Sequence, residues 1–495
     1  MPSRNSTIVL TGLGVGLLAL LAGCPRPNSA DKDAAARLPL AGVKLRLLVV
    51  DDPALARAAG KLQGEWRAQT GATLEVAETT ESELLARNAS KADAAICPSY
   101  LLGTLAEQAA LAEIPESLRA DEQENWSEIF ELPRCHEAAW GQAILAVPFG
   151  SPVLVCYYRA DLLKQLGREP PRTWTEYHEL AKLLADPAKL GQAAPPADAP
   201  WFGTMEPLGP GWGGLVLLAR ASSYVKHPHN YSTWFNMKNM EPLVDSPPMI
   251  HALTQLADTA TKHGSPDQLD ADPDKTRAAI WQGTCGMALS WPTAACSVGG
   301  ENGDAGRRPA IGVAELPGSR KHYNIDHDVD EIGWETRDHD AELSVPLLAT
   351  SGRLGVVFRR SARPGASAEL LLWLSALRTD PPPASRSPWT TLSRRWQLGS
   401  PDDWVEGAMS PAAAAAYANQ TATTFDRGQW TFALRIPGRR RYLAALDDAV
   451  AAAVRDKQAP AAALAEAATK WRRITEELGV DRQRTAYLRS LGLEP

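Results

Sequence analysis

Cysteine is scarce in this chain: six among 495 residues, and the spacings of Cys97, Cys135, Cys156, Cys285 and Cys296 match no zinc pattern. Five thiols cannot pair completely; export would permit a disulfide, whose connectivity the sequence does not give, and these residues read as mostly buried apolar fillers. Charge of one sign is also lacking. The formal net charge of -7 is spread along the chain rather than gathered in a tail, which excludes a phosphate-neutralising surface and, with it, a nucleic-acid partner. Beyond the first two dozen residues no stretch is apolar enough to span a bilayer. No nucleophile elbow, P-loop or zincin motif is present, and none of the many acidic residues stands out by its context. Phenylalanine and tyrosine are outnumbered by tryptophan, 7 and 10 against 16. Flat apolar faces with a single donor suit ring-shaped polar ligands, although most of these tryptophans are expected to pack cores.

What is present is enough for a large fold. A chain of 495 residues exceeds one compact core and implies two to four units. Hydrophobic residues at 44% and charged residues at 22% are ordinary for a globular protein. The first 24 residues carry Arg4, an apolar run from Ile8 to Ala22 and then Leu21-Ala22-Gly23-Cys24. A helix of about 15 residues reaches only about 22 Å against a hydrocarbon core of about 30 Å, so a targeting segment fits better than a spanning helix. The final tetrad resembles the bacterial lipoprotein box. That resemblance implies cleavage before Cys24, acylation of its thiol, an anchor in a membrane and a place in the cell envelope, periplasmic or extracytoplasmic. An ordinary cleaved signal peptide is the alternative. Residues 25–42, rich in Ala and Pro with Asp31, Lys32 and Asp33 among them, read as a flexible tether.

Val43 to Val50 is a short apolar run, as in a strand buried on both faces of a parallel sheet. Asp51 and Asp52 precede Pro53, and Leu55, Ala59, Leu62 and Trp66 follow at helical spacing until Gly71. Ala72 to Ala77 and Ala92 to Cys97 are further strands with a helical stretch between them. The unit is β-α-β-α-β, the start of a doubly wound sheet whose ligands bind beyond the carboxyl ends of the strands. Those ends are Asp51-Asp52 and Pro98-Ser99-Tyr100, so these loops are candidate cleft walls. Helix capping is the competing role for the two aspartates, and lobe packing for Tyr100. Ala146 to Asp161 reads as a strand, a Gly/Pro break at Phe149-Gly150-Ser151-Pro152, and a second strand, which suits a hinge between lobes. Thr173 and Glu176 form a capping box, which gives Trp174 a structural role.

The order of these pieces resembles the extracellular solute-binding proteins of ABC importers, in particular the large carbohydrate-binding family that includes maltose-binding protein. The residues that carry the likeness are Val147 to Gly150, Tyr157 to Leu162, Gly167 to Glu176, Gly286 to Pro292, Ile311 to Gly318 and Gly355 to Pro364. The resemblance implies an α/β, two-lobed periplasmic-binding-protein-like fold of type II, each lobe a mostly parallel sheet flanked by helices. It divides the chain into a first lobe, 43–150 plus 313–385, and a second, 151–312 plus 386–495. It also implies a monomer that captures a small solute, a carbohydrate by preference, and presents it to an ABC transporter permease, without cofactor, metal or catalysis. A secreted glycan-processing hydrolase and a scaffold or sensor lipoprotein are the alternatives. Two stretches depart from the family pattern, Arg320 to Leu343 and Pro381 to Trp404.

A sugar site combines stacked aromatics with side-chain donors and acceptors. Trp291, just after a strand, matches the family's cleft aromatic. Trp212, among Gly209, Gly211, Gly213 and Gly214, is next, because glycines let backbone approach a ligand; a packed Trp in a glycine-rich turn is the competing reading. Tyr100, Phe149, Asp51, Trp334, Arg386 and Trp389 complete the candidate ligand-binding set. Between His322 and Asp340 imidazoles and carboxylates cluster, but the calcium-loop pattern is absent and zinc wants a tighter His pairing, so a solvated acidic loop is expected.

Overall fold

The structure, a computed structural model, describes residues 38–86, 92–191, 195, 198–296, 309–325, 332–339 and 341–495. Cys24 with its leader, most of the tether, and the acidic positions 326–331 and 340 lie outside the described residues. No helix among the described residues is long and apolar enough to cross a membrane.

Two sheets organise the chain. In the first, Thr73–Thr79, Lys44–Val50 and Ala94–Pro98 pair in parallel, Arg353–Phe358 runs antiparallel beside them, and Leu111–Ala112 and Ala146–Gly150 share its far edge. Five of the six strands therefore point the same way. Leu47, Val49 and Val50 are fully buried, as the unbroken apolar run requires of a strand covered on both faces. Asp52 caps the following helix by accepting the Leu55 N–H at 3.0 Å, while Pro53 supplies its first turn. In the second sheet the order is Ile311–Glu315, Val155–Arg159, Cys285–Ser290, Phe202–Met205, with only Val155–Arg159 reversed. The Thr173/Glu176 capping box forms, and Trp174 is 1% exposed beneath the second sheet's helices.

The return to the first lobe comes later than expected. Ile311–Glu315, across which the boundary at 313 was placed, pairs along its whole length with Val155–Arg159 in the second sheet. Glu315 is held there by Thr424 and Arg427, each at 2.8 Å, next to the helix Pro411–Phe425. The chain rejoins the first sheet only at Arg353. The helices Arg439–Val454 and Pro460–Leu478 pack on each other and on the second-lobe helices, as their apolar stripes require. The last helix, Val480–Ser490, departs from its assignment to the second lobe alone: it also contacts Leu102–Glu107 of the first lobe, and Arg489 meets Glu107 at 3.2 Å.

Ser151 to Leu154 crosses between the sheets beside the returning segment Thr350 to Gly352. Thr350 Oγ1 donates to the Pro152 carbonyl at 3.2 Å, and the Ser99 N–H to the Gly352 carbonyl at 2.7 Å. The approach is close enough that a Cβ on Gly352 would lie 2.0 Å from Ser151 Oγ. Gly150 opens the crossing at φ +137°, where a Cβ would also meet the Thr391 carbonyl at 2.4 Å.

Within the second lobe, Arg220 and Glu206 form a fully buried ion pair at 2.7 Å, with the guanidinium 3.9 Å from the Trp174 ring centroid. Arg220→Met would leave the Glu206 carboxylate buried without compensation, which costs about 3–5 kcal/mol. Urea unfolding is the measurement. A loss below about 1 kcal/mol would show that the pair does not hold this lobe together.

Candidate functional site

A cavity of about 210 Å³ lies between the two sheets. Its first-lobe wall is Asp51, Pro98 and Tyr100, at the carboxyl ends of Lys44–Val50 and Ala94–Pro98. Its second-lobe wall is Gly211, Trp212 and Leu215, where the helix Gly213–Val225 begins, and Arg439, where Arg439–Val454 begins. Thr350, Ser351, Arg353 and Trp389 close it at the crossing.

Each wall residue is fixed from behind. Asp51 adopts φ +47° and its Oδ2 accepts the Glu81 N–H at 3.1 Å. Arg353 is buried; it donates to Asp52 Oδ2 at 3.1 Å, to the Ser351 carbonyl at 3.0 Å and to the Asp51 carbonyl at 3.3 Å, and lies 5.7 Å from the Trp389 centroid. Arg439 stacks 4.0 Å from the Tyr100 centroid and donates to the Thr350 carbonyl at 3.2 Å; burial pulls its pKa down to about 10. Tyr100 donates its hydroxyl to Glu81 Oε2 at 3.1 Å, and burial with the Glu81 charge pushes its pKa up to about 12. Glu81 also accepts from Arg440 at 2.6 and 3.1 Å. First-lobe Tyr100 and Glu81 are thus gripped by two arginines of a second-lobe helix.

Two indoles line this cavity and a third packs against them. Trp212 and Trp389 lie nearly parallel, 7° apart at 6.4 Å between centroids, and Trp291 sits 5.5 Å from the first and 6.0 Å from the second. The glycine-rich turn before Trp212 is pinned by Asp447, which accepts the Gly211 and Gly214 N–H groups, both at 2.7 Å. Trp389 is held by its own N–H to Ser387 Oγ at 3.1 Å, and Ser387 in turn donates to Asp52. Trp291 is 1% exposed, donates its indole N–H to the Pro388 carbonyl at 2.9 Å, and accepts from Arg277 on its own carbonyl at 2.9 Å.

Of the residues singled out from the sequence, Asp51, Tyr100, Trp212 and Trp389 line the cavity. Trp291 stands behind the other two indoles instead of facing the space, because its N–H finds its partner in the chain. Phe149 belongs to the first-lobe core at 2% exposure, beneath Gly355. Arg386 is exposed, outside the cavity lining. Trp334 lies on the hairpin of Lys321–Asn324 and Gly333–Thr336, against Tyr224, His251 and Tyr323 and apart from the cleft. Arg353 and Arg439 were missed. For the latter a signal existed: Arg439-Arg440-Arg441 follows Pro437-Gly438 and opens a helix, where cations oppose the macrodipole and so mark a position chosen for something other than helix stability.

The same hairpin corrects the expectation of a wholly solvated acidic loop. His322 is buried, and its ligand atom, that of His227 and a Glu335 oxygen all lie within 4.8 Å of one another. His227 Nδ1 accepts the His229 N–H at 3.1 Å, so the neutral ring carries its proton on Nε2 and donates it to Glu335 at 3.0 Å. Burial, with Arg337 and His227 adding to it, pushes the His322 pKa down to about 4. A cation at this spot would have to displace the His227 proton and its hydrogen bond.

The family of bacterial extracellular solute-binding proteins matches residues 55–311 of the chain. Among solved structures, the sugar-binding protein MalE from Xanthomonas citri superposes with a TM-score of 0.64 at 15% identity, covering 88% of this chain and 98% of that one. The ABC transporter solute-binding protein from Agrobacterium radiobacter K84, in complex with ribitol, gives 0.62 at 18% identity, with 88% and 100% covered. Maltose-bound MalE3 from T. maritima gives 0.61 at 17% identity, with 87% and 100% covered. At such identities the likeness is one of fold, the two-lobed binding-protein fold. No curated protein matches the sequence.

Trp291→Ala opens a void behind the other two indoles and should cost about 3–5 kcal/mol of unfolding free energy. A change under about 1 kcal/mol would show that the indole is dispensable to the core. Glu406, which accepts from Tyr157 at 3.0 Å and faces Arg277 at 3.3 Å, has its pKa raised by burial from 4.5 to about 7. The folded state then holds a proton that the unfolded state has released, so the contribution of Glu406 to stability falls as pH rises from 4.5 towards 7. Urea unfolding at pH 5 and pH 7.5 should show Glu406→Gln flattening this slope. An unchanged slope would remove Glu406 as its source.

Proposed function

The chain belongs to the family of bacterial extracellular solute-binding proteins, and on that premise we propose that it captures a sugar or polyol between its lobes and hands it unaltered to an ABC transporter permease. The observation that carries this reading is the pair of near-parallel indoles, Trp212 and Trp389, set beside buried Arg353 and half-buried Arg439 in a cavity between the two sheets. Indole faces take the apolar C–H faces of a sugar, and the Asp51 carboxylate, the Ser351 hydroxyl and the guanidiniums are placed for its hydroxyls. The cavity's 210 Å³ falls below the ~300–1,000 Å³ of drug-sized pockets, which favours a monosaccharide or polyol over an oligosaccharide. The ribitol, D-mannitol and maltose bound by structurally similar proteins agree with that class.

Capture works by closure. A solute touching both walls binds the closed form better than the open one and shifts the population toward it. The Glu81–Arg440 ion pair and the Tyr100–Arg439 stack join the lobes directly across the cleft and favour the same state. The protein acts as an exported monomer, anchored at the membrane surface through a lipid on Cys24. Binding without turnover is supported by the carboxylates: among the described lining residues Asp51 alone is acidic, whereas a glycosidase sets two acids roughly 5–9 Å apart across its substrate. Neighbouring Asp52 is committed to Arg353 and Ser387, and Asp447 to two amides.

Thermal melting of the chain from Pro25 onward, against ribitol, mannitol, glucose and maltose, tests this. A bound solute at a hundred times its Kd should add about 2.7 kcal/mol of stability. Trp389→Ala and Trp212→Ala should each weaken that solute at least tenfold. Stabilisation by none of the sugars and polyols, or consumption of the bound one, overturns the reading.

A further inference from the structure

The helix Gly213–Val225 that starts at the cleft ends at a second cavity. Tyr224 lies twelve residues beyond Trp212, about 18 Å along the axis at 1.5 Å per residue, so this space is separate from the interlobe site. At about 590 Å³ it falls inside the ~300–1,000 Å³ range of ligand sites. The start of the helix Trp174–Leu184, the helices carrying Tyr224 and His251, and the hairpin enclose it.

Two features give it a chemical character. Trp334 is 41% exposed inside this concave wall, yet its indole is fixed by three rings set across it: Tyr224 at 5.9 Å and 86°, His251 at 5.3 Å and 68°, Tyr323 at 5.3 Å and 82°. Tyr224 is itself locked by donating to Gln255 Oε1 at 2.5 Å. Such an indole is preorganised, so stacking a ring on it costs little ordering. The second feature is charge. Arg320 and Lys321 line the same cavity, and neither meets an acidic partner among the described residues. The carboxylate in the wall, Glu176, is committed to the backbone N–H groups of Arg172 at 2.8 Å and Thr173 at 3.3 Å. With two cations against this one carboxylate, the charge of the described lining is positive on balance.

From this pairing of a fixed, exposed indole with two cations that meet no acidic partner among the described residues we infer that the second lobe carries a separate site for an acidic saccharide, its ring against Trp334 and its carboxylate or sulfate between Arg320 and Lys321. The site does not depend on which solute fills the cleft. It gives the protein a way to hold an anionic glycan while the cleft works.

Calorimetric titration of the chain from Pro25 onward with trigalacturonate and with a sulfated chondroitin disaccharide, maltotriose serving as the neutral comparison, decides the matter. Binding of either acidic sugar, weakened by added NaCl, is expected. Trp334→Ala should weaken it at least tenfold, and the double variant Arg320→Ser/Lys321→Ser should do the same and remove the salt dependence, while Trp389→Ala leaves it unchanged. The double variant alters exposed side chains only, so it decides the result even if Trp334→Ala disturbs the hairpin. No binding of either acidic sugar, equal binding of maltotriose that Trp334→Ala also weakens, or loss of binding in Trp389→Ala with Trp334→Ala unaffected would overturn the inference. Because the cleft is read out separately through Trp389, such a failure leaves the interlobe reading untouched.

Discussion

A single hydrogen bond carries the geometry of the cleft: the Trp291 indole N–H to the Pro388 carbonyl, across 97 positions of sequence. The indole is buried, so its donor would otherwise go unsatisfied at a cost of about 1–3 kcal/mol. The bond fastens the end of a second-sheet strand to the segment holding Ser387 and Trp389. Ser387 then reaches Asp52, which caps the first helix and pairs with Arg353 at the start of the reversed strand. One buried chain of contacts thus runs from the second sheet to the first. Trp389 is placed by it, opposite Trp212, whose turn Asp447 pins from its own lobe.

Charge in the cleft follows the same logic of commitment. Asp52 and Asp447 spend their oxygens on structure, and Arg353 is tied on three sides, so what remains toward the cavity is one carboxylate and the edges of two guanidiniums. Arg439 and Arg440 stand at a helix start, against the dipole, because Tyr100 and Glu81 wait for them across the gap. A local rule is broken there, and the compensation lies in the opposite lobe.

The hairpin of Lys321–Asn324 and Gly333–Thr336 has a packing environment of its own. It leaves the cleft alone and stands over the far end of the helix that begins at Trp212. Its inner face is secured by His227, His322 and Glu335, and Trp334 is turned toward the space beside the capping box of Thr173. Ring contacts hold an aromatic that solvent still reaches, which ordinary core packing does not explain.

The local rules of the chain were legible without coordinates. The apolar run at 43–50, the Asp52–Pro53 helix start, the Thr173/Glu176 box, the break at Gly150 and the stripes of the C-terminal helices depend on neighbours a few positions away, and sequence shows those neighbours directly. So did the loops beyond the first-lobe strands, which placed Asp51 and Tyr100 at the cavity, and the glycine-rich turn of Trp212. Tertiary structure alone decided which sheet took Ile311–Glu315, that Trp291 backs the cavity and Trp334 stands outside it, and that Arg353 and Arg439 line it. Each of those outcomes turns on a partner more than ninety residues away or in the other lobe. Hydrophobic period and capping carry no information about such a partner, because burial and hydrogen bonding select it only when the lobes come together.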